Sequence, residues 1–176
     1  FSYPGDYFSA EAPEKYKIKG SFGHPVPVVD GKTQSSGAKA SAIVLKKEFT
    51  DVKDLLCIDY TSAYSTPSLD KLVRTFVYDR QGKGNFTVGD EFTANAPIRF
   101  ETAITTQANW KIIDDTHLLL TTGTEQMTVT IEASGKVAFT SETIEVNSPA
   151  YKRIGISLKE QSKDGYIRLT MRTKQL

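Results

Sequence analysis

Apolar residues recur at every second position along most of this chain, and that period limits its possible folds more than any other feature. The segment "MTVTIEA" places Met127, Val129, Ile131 and Ala133 on one parity and polar residues on the other. The same alternation occurs in "NFTVGDEF", "IRFETAIT", "RIGISLK" and "YIRLTMRTK". Successive side chains of a β-strand point to opposite faces, so each segment predicts a strand with one dry and one wet face.

Short turn signals such as "DRQGKGN", "TTGTE", "ASGK" and "SKDG" separate these segments. No segment keeps a helical period of 3.6 residues, and "LVRTFVYD" alternates as a strand although a helical turn could precede it at Ser68. Closely spaced strands with such punctuation are typical of sandwiches and barrels. We therefore predict an all-β fold, a large antiparallel β-sandwich of about a dozen strands, with residues 1–176 forming a single domain.

Composition argues against several classes of protein. Twenty-two Lys and Arg residues nearly cancel twenty-one Asp and Glu residues, for a net charge of +1, whereas nucleic-acid binders usually carry a basic excess. No apolar run approaches the roughly 20 residues that cross a bilayer. Cys57 is the only cysteine, so no intramolecular disulfide forms, and its apolar neighbours in "DLLCIDY" predict a buried, inert thiol.

Motifs for nucleophilic, metal or phosphate chemistry do not occur: there is no GxSxG, HExxH, CxxC or GxGxxG pattern. The chain has two histidines, His24 and His117, far apart in sequence. His117 follows the acidic turn "DDT", which predicts a solvated histidine or one paired with Asp114 or Asp115.

His24 lies in "GSFGHPVPVVDGKTQSSG", residues 20–37. Pro25 disfavours helical backbone at the preceding residue, and Asp30-Gly31 suits a tight hairpin turn. His24 should therefore be presented by a stiff, extended ribbon. From the residues alone, a functional histidine and a partly exposed strand histidine without a function are equally supported.

Aromatic residues offer a second candidate site. Tyr60, Tyr64, Trp110 and the segment "FSYPGDYF" could together form a platform on which sugar rings stack. Packing in the core is the favoured interpretation, because the single tryptophan precedes the apolar run "KII".

An ordered series of residues along the first half of the chain resembles the heparinase II/III-like polysaccharide lyases. The segment "YFSAEAPEKYKIKGSFGHPVPVVDGKTQSSGAKASA" supplies Lys15-Tyr16, Ser21, His24, Pro27, Val29-Asp30-Gly31, Gln34 and Gly37. The segment "CIDYTSAYSTPSLDKLVRTFVYDRQGKGNFTVGDEFTA" supplies Asp59, Ala63, Tyr64, Arg74, Phe76, Asp90 and Phe92. The resemblance covers residues 3 to about 95; beyond them only "RFETAITT" and the β pattern continue it.

The resemblance implies a C-terminal β-sandwich domain that is normally joined to an N-terminal (α/α) toroid. Such enzymes cleave uronate-containing glycosaminoglycans or alginate by β-elimination. The chain opens on "FSYPGDYF" without methionine, and we interpret it as a fragment of a longer lyase that lacks the toroid and is not active by itself. The implied partners are an acidic polysaccharide and the toroid, with no nucleic acid and no membrane span, and the implied location is periplasmic or secreted.

The same resemblance suggests site residues. His24 would face the cleft as the catalytic candidate, while Tyr16 and Gln34 would be substrate-binding residues. His24 would also be one possible zinc ligand in the full-length protein, whose other ligands lie upstream, so we expect no metal or other cofactor in this fragment. Pro25 and Asp30 replace asparagines of the family pattern, and the proline removes a side-chain amide.

Two alternatives to the lyase interpretation stay open. The chain could be a non-catalytic carbohydrate-binding domain, or a structural buttress for a larger partner domain. A large exposed apolar face would favour the buttress.

Overall fold

Strands form most of the structure, a computed structural model that describes residues 20–145 and 150–174. Tyr16 and the aromatic segment "FSYPGDYF" lie outside the described residues. The strands are β1 (Val28–Val29), β2 (Ile43–Phe49), β3 (Lys53–Asp59), β4 (Leu69–Asp79), β5 (Asn85–Ile98), β6 (Phe100–Thr106), β7 (Asn109–Asp114), β8 (His117–Thr122), β9 (Glu125–Ala133), β10 (Val137–Glu145), β11 (Tyr151–Leu158) and β12 (Ser162–Lys174). Single 3₁₀ turns occur at Ser21–Gly23 and Thr61–Ala63, and within the described ranges no helix could span a bilayer.

The strands form two antiparallel sheets, so the predicted β-sandwich is confirmed. The small sheet has the order β1-β6-β11-β10, and the large sheet has the order β2-β3-β4-β5-β12-β9-β8-β7. Most sequence neighbours pair with each other, which is typical of antiparallel folds built from hairpins. The segment "LVRTFVYD" lies in β4, as predicted.

The core lies between the two sheets. It consists of the apolar residues that recur at every second position of the strands, as the sequence predicts. Phe92 of β5 stacks on Phe100 of β6, with ring centroids 4.5 Å apart. The fully buried apolar side chains are Val29, Leu72, Phe92, Ile98, Phe100, Leu118, Val129, Ile154, Ile156, Ile167 and Leu169. Each such side chain contributes about 1.5–3 kcal/mol when removed from water, which makes this layer the main source of stability.

The chain crosses from the large sheet to the small sheet at Arg99, the single residue between β5 and β6. β1 pairs with the start of β6 at this corner, through Val28 opposite Glu101 and Val29 opposite Phe100. The Asp30 amide donates to the Arg99 carbonyl, and the Arg99 amide donates to Asp30 Oδ1 at 2.9 Å. These bonds hold the segment that carries His24 against the corner of the sandwich.

The large sheet is wider than the small one, and its β2 edge is left uncovered. All seven residues of β2 are exposed. Large apolar side chains between this edge and β5 are also exposed: Ile43, Val44, Leu45, Phe49, Val52, Tyr78 and Phe86. Lys46, Lys47 and Glu48 interrupt the apolar residues of β2, and such charges discourage edge-to-edge pairing of strands.

Candidate functional site

The candidate site is the extended segment of residues 24–29, which we call the His24 ribbon. A 3₁₀ turn ends at Gly23, and His24 follows it with extended backbone, φ −108° and ψ 160°. Beyond the ribbon, Asp30 and Gly31 both have positive φ, 50° and 76°. Val29 and Lys32 exchange two backbone hydrogen bonds of 2.9 Å across them. The predicted hairpin turn is therefore confirmed, with the two left-handed residues that type I′ turns require.

Three consecutive carbonyls of the His24 ribbon accept hydrogen bonds from buried side chains of other elements. Arg74 Nη1 donates to Pro25 O at 2.7 Å, and Tyr64 Oη donates to Pro27 O at 2.9 Å. Arg153 Nη2 donates to Val26 O at 3.3 Å. Proline has no N–H, so at residues 25 and 27 the carbonyl is the only backbone group that can be held.

Arg74 reaches the ribbon from a buried ion pair with Asp90. Arg74 Nε donates to Asp90 Oδ1 at 2.7 Å and Nη2 donates to Oδ2 at 2.8 Å, while the two side chains are only 7% and 1% exposed. The hydroxyls of Tyr60 and Thr102 each donate to one of these oxygens, at 2.7 Å. The Asp90 carboxylate thus accepts four hydrogen bonds, which compensates for its removal from water.

Burial and the charge of Asp90 shift the pKa values of the side chains around it. Burial alone would lower the pKa of Arg74, but the charge and hydrogen bonds of Asp90 hold it above its ordinary value. Burial, helped by the charge of Asp90, raises the pKa of Tyr60, and burial likewise raises the pKa of Tyr64. Both phenols therefore stay protonated at neutral pH and keep donating their hydrogen bonds.

Arg153 forms a second anchor on the small sheet. It lies on β11, is 2% exposed, and pairs with Glu101 of β6. Its guanidinium also lies 4.5 Å from the centroid of the Phe22 ring, in the 3₁₀ turn before the ribbon. Such a cation–π contact adds to the attachment of the turn. The ribbon is therefore held from both sheets.

His24 itself is exposed, and no hydrogen bond to its imidazole occurs within the described residues. Gln34 lies on the segment that returns from the turn, and its backbone amide donates to Ser21 Oγ at 2.9 Å. The structure thus brings the segments of His24 and Gln34 together. Tyr16 is outside the described residues, so its predicted role stays a prediction.

The predictions for the other candidate residues have mixed outcomes. His117 pairs with Asp114, Nδ1 to Oδ1 at 2.9 Å, as predicted. Tyr60 and Tyr64 are buried, and Trp110 packs against the core, so core packing is confirmed for these three aromatic residues. The prediction of a buried Cys57 is wrong: the thiol is half-buried because Cys57 has the outward parity of β3, where Thr75 Oγ1 donates to it at 3.5 Å.

The sequence contains a signal from which the buried network of Arg74 and Asp90 could be predicted. Asp90 has the inward parity of "NFTVGDEF", the parity of Val88 and Phe92, and Arg74 has the inward parity of β4. A charged residue on the dry face of a strand needs a partner. Arg74, Asp90 and Tyr64 also belong to the series on which the family resemblance rests.

Chemically, the described part of the site offers one exposed imidazole on a fixed backbone. No three His, Cys, Asp or Glu side chains within it are close enough to hold a metal ion. A single histidine can give or take one proton from a substrate placed against it, but other groups must position that substrate.

No family model and no curated protein matches this chain. Solved structures do match. The heparan sulfate lyase HepC from Pedobacter heparinus has a TM-score of 0.73 and 15% identity, over 100% of this chain and 28% of that one. A structure of heparinase III has a TM-score of 0.68 and 17% identity, over 92% and 25%. A heparinase III gene product has a TM-score of 0.70 and 14% identity, over 98% and 27%.

These likenesses show the fold alone, because the identities are low. The chain spans about a quarter of the length of each of these heparinase structures. Its two sheets therefore form a distant heparinase-like fold.

Proposed function

We propose that this chain is the C-terminal β-sandwich domain of a heparinase II/III-like polysaccharide lyase and acts together with a toroid elsewhere in the same protein. The likeness to parts of heparinase III and of a heparan sulfate lyase supports this proposal. The substrate class is an acidic, uronate-containing polysaccharide. The location that goes with such a substrate is periplasmic or extracellular.

The observation that carries the proposal is the way His24 is held. Three buried side chains anchor the carbonyls of the next three residues, yet the imidazole is exposed. A group on a fixed backbone loses little conformational freedom when it meets a substrate, which favours proton transfer and positioning. A surface histidine without a function would not need such anchoring.

In β-elimination the uronate carboxylate is neutralised, a base removes the C5 proton, and the C4–O bond breaks. Groups that stabilise the developing enolate-like charge supply much of the rate. In this proposal His24 faces the substrate cleft between the toroid and the sandwich, and assists the proton transfer from the sandwich side. Gln34 and Tyr16 contact the sugar chain. His24 is also available as one ligand of a zinc ion whose other ligands lie in the rest of the protein.

The test uses the full-length protein with heparan sulfate and alginate, and follows the ultraviolet absorbance of the unsaturated uronate product. His24→Ala should lower kcat/KM at least about a hundredfold, the low end of the effect of losing a group that assists proton transfer. His117→Ala is the matched control, since it removes the other histidine, and it should keep full activity. Wild-type activity in the His24 variant would overturn the assignment of His24, and absence of product with both polymers would overturn the lyase proposal.

A second candidate function is that of a structural buttress. The exposed side chains of Phe49, Tyr78 and Phe86 favour it: they lie in one row across β2 to β5, and exposed apolar clusters mark docking surfaces. Replacing Phe49 and Phe86 by serine in the full-length protein should then free this domain to move. Faster cleavage between domains by a protease supports the buttress, and unchanged cleavage contradicts it.

A further inference from the structure

A groove crosses the outer face of the large sheet, on the side away from the core. It has a volume of about 210 Å³ and runs over β4, β5 and β12. Its walls include Thr75, Thr87, Glu91, Tyr166 and Arg168, with Gly89 at its floor. Ligand sites for drug-sized molecules usually measure about 300–1,000 Å³, so this groove has room for a single small ring.

Gly89 lines the groove without a side chain of its own. Its neighbours in the sheet are Thr75 on one side and Arg168 on the other, and both carry side chains. The backbone of Gly89 is not left-handed, and a Cβ there would meet Arg168 Cγ at an ordinary 3.6 Å. Glycine weakens the interior of a strand and is not needed here for conformation. What glycine provides at this position is room for the Arg168 side chain, which lies against Gly89 and lines the groove beside it.

The walls of the groove combine one aromatic ring with polar groups of both kinds. Tyr166 is 39% exposed, and the Arg168 guanidinium lies over its ring, 5.8 Å from the centroid. Glu91 is directly opposite Tyr166 on β5 and is exposed. The hydroxyls of Thr87 and Thr170 are hydrogen-bonded to each other at 3.1 Å beside the groove.

This combination fits a pyranose ring. The C–H face of a sugar packs on an exposed aromatic ring, and its hydroxyls both donate and accept hydrogen bonds. Here Glu91 accepts, Arg168 donates, and the threonine hydroxyls do either.

The charge at the groove selects a neutral sugar. Arg168 is already paired with Glu132, Nη1 to Oε2 at 2.9 Å, and Glu91 adds a second negative charge nearby. The cation that lines the groove is therefore already paired, and a sulfated or uronate-rich segment would also meet the carboxylate of Glu91, which repels it. The groove therefore differs in ligand class from the acidic substrate proposed for the His24 side.

We propose that this outer-face groove binds one neutral pyranose unit of a polysaccharide, stacked on Tyr166 and hydrogen-bonded to Glu91 and Arg168. The site is distinct from the His24 ribbon and independent of the lyase proposal. Its role is to keep the protein attached to a hydroxyl-rich glycan.

The experiment is an amide-detected NMR titration of the chain with cellohexaose, xylohexaose and mannohexaose, and with a heparan sulfate hexasaccharide as the acidic comparison. We expect saturable shifts centred on the amides of Gly89, Tyr166 and Arg168 with at least one neutral oligosaccharide. Saturation with none of the three, shifts centred elsewhere, or tighter binding of the heparan sulfate oligosaccharide at these same amides would each overturn the proposal.

Variants separate binding from folding. Tyr166→Ala should weaken binding about tenfold through loss of the stacking face. Gly89→Val fills the groove with a residue that favours strands, so it should abolish binding while the melting temperature is kept or raised. Tyr78→Ala removes an equally exposed tyrosine from the opposite face and should leave binding unchanged. Binding that survives Gly89→Val in a folded protein contradicts the assignment.

Discussion

Two arginine–carboxylate pairs of the large sheet occupy equivalent cross-strand positions but opposite faces of the sheet. Arg74 lies directly opposite Asp90 on neighbouring strands, and Arg168 lies directly opposite Glu132. The first pair faces the core and is 7% and 1% exposed. The second faces solvent and is 52% and 55% exposed.

The difference lies in how many bonds each carboxylate makes. Asp90 accepts four hydrogen bonds, two of them from Arg74. Between Arg168 and Glu132 the structure gives one contact of 2.9 Å. A buried carboxylate must have all its partners because water cannot replace them, whereas an exposed one is hydrated in any case. Only the inner pair can therefore hold another segment of the chain in a fixed position. That segment is the His24 ribbon, whose Pro25 carbonyl accepts a hydrogen bond from Arg74.

Breaking the inner pair should have the largest effect. Asp90→Asn leaves the Arg74 charge buried without a counter-charge, so we expect a loss of about 3–5 kcal/mol in the free energy of unfolding. Guanidinium denaturation of the chain measures it. A loss below about 1 kcal/mol would mean that water reaches the pair and that the inner and outer pairs are equivalent.

A double variant distinguishes loss of charge balance from loss of contacts. Replacing both partners by apolar residues, Arg74→Met with Asp90→Leu, removes the unpaired buried charge. The double variant should therefore recover part of the free energy of unfolding that Asp90→Asn loses. The His24 ribbon should still loosen, because Pro25 O loses its donor. Hydrogen exchange at the Val26 amide would report that loosening, and unchanged exchange contradicts the anchoring role of Arg74.

Tyr60→Phe sharpens the comparison by removing one donor while the pair stays intact. Asp90 Oδ1 then keeps only its bond from Arg74, so the expected loss is about 1.5–3 kcal/mol, the usual contribution of a hydrogen bond to a charged group. Urea denaturation measures the change. Tyr78→Phe is the matched control at an exposed tyrosine and should change the stability by less than about 0.5 kcal/mol. Equal effects at the two tyrosines would contradict the buried network.

Much of this contrast was within reach of the sequence. The period of two placed Val88, Phe92 and Asp90 on one face, and the turn after Asp79 sets a register in which Arg74 meets Asp90. The parity argument also shows why Cys57 was misassigned: its apolar neighbours suggested burial, but it alternates outward. The period decides which face a side chain is on, and neighbouring residues in the sequence do not.

The anchors of the ribbon could not be predicted in this way. Tyr64 and Pro27 are 37 residues apart, and Arg153 and Val26 are 127 residues apart. Such contacts depend on how the two sheets stack and on where the chain crosses between them at Arg99. No local pattern contains that information. The sequence therefore pointed to His24 and to an extended ribbon, but not to what holds it.

Breaking the outer pair should have a small effect. Arg168→Gln removes one contact between exposed side chains, so the free energy of unfolding should change by less than about 1 kcal/mol. The change should shrink further in high salt, which screens exposed charges. Thermal melts at low and high salt test this, with Asp90→Asn as the contrasting variant. A loss comparable to that of Asp90→Asn would show that exposure does not explain the difference between the pairs.

The pair of Asp114 and His117 extends the comparison to another exposed carboxylate, whose contribution to stability depends on pH. Hydrogen bonds from the Thr116 backbone, and then from His117, lower the pKa of Asp114 from 3.8 to about 2. A carboxyl whose pKa is lowered on folding stabilises the protein above its unfolded pKa, so this contribution is present above about pH 4 and disappears as the pH falls towards 2. Asp114→Asn should lower the melting temperature slightly at neutral pH, the smallest of these effects, and the difference from the wild type should vanish as the pH falls between these limits. Asp115→Asn is the control at the adjacent exposed position, and an equal pH-dependent difference there would assign the effect to overall charge instead of to the hydrogen bonds of Asp114.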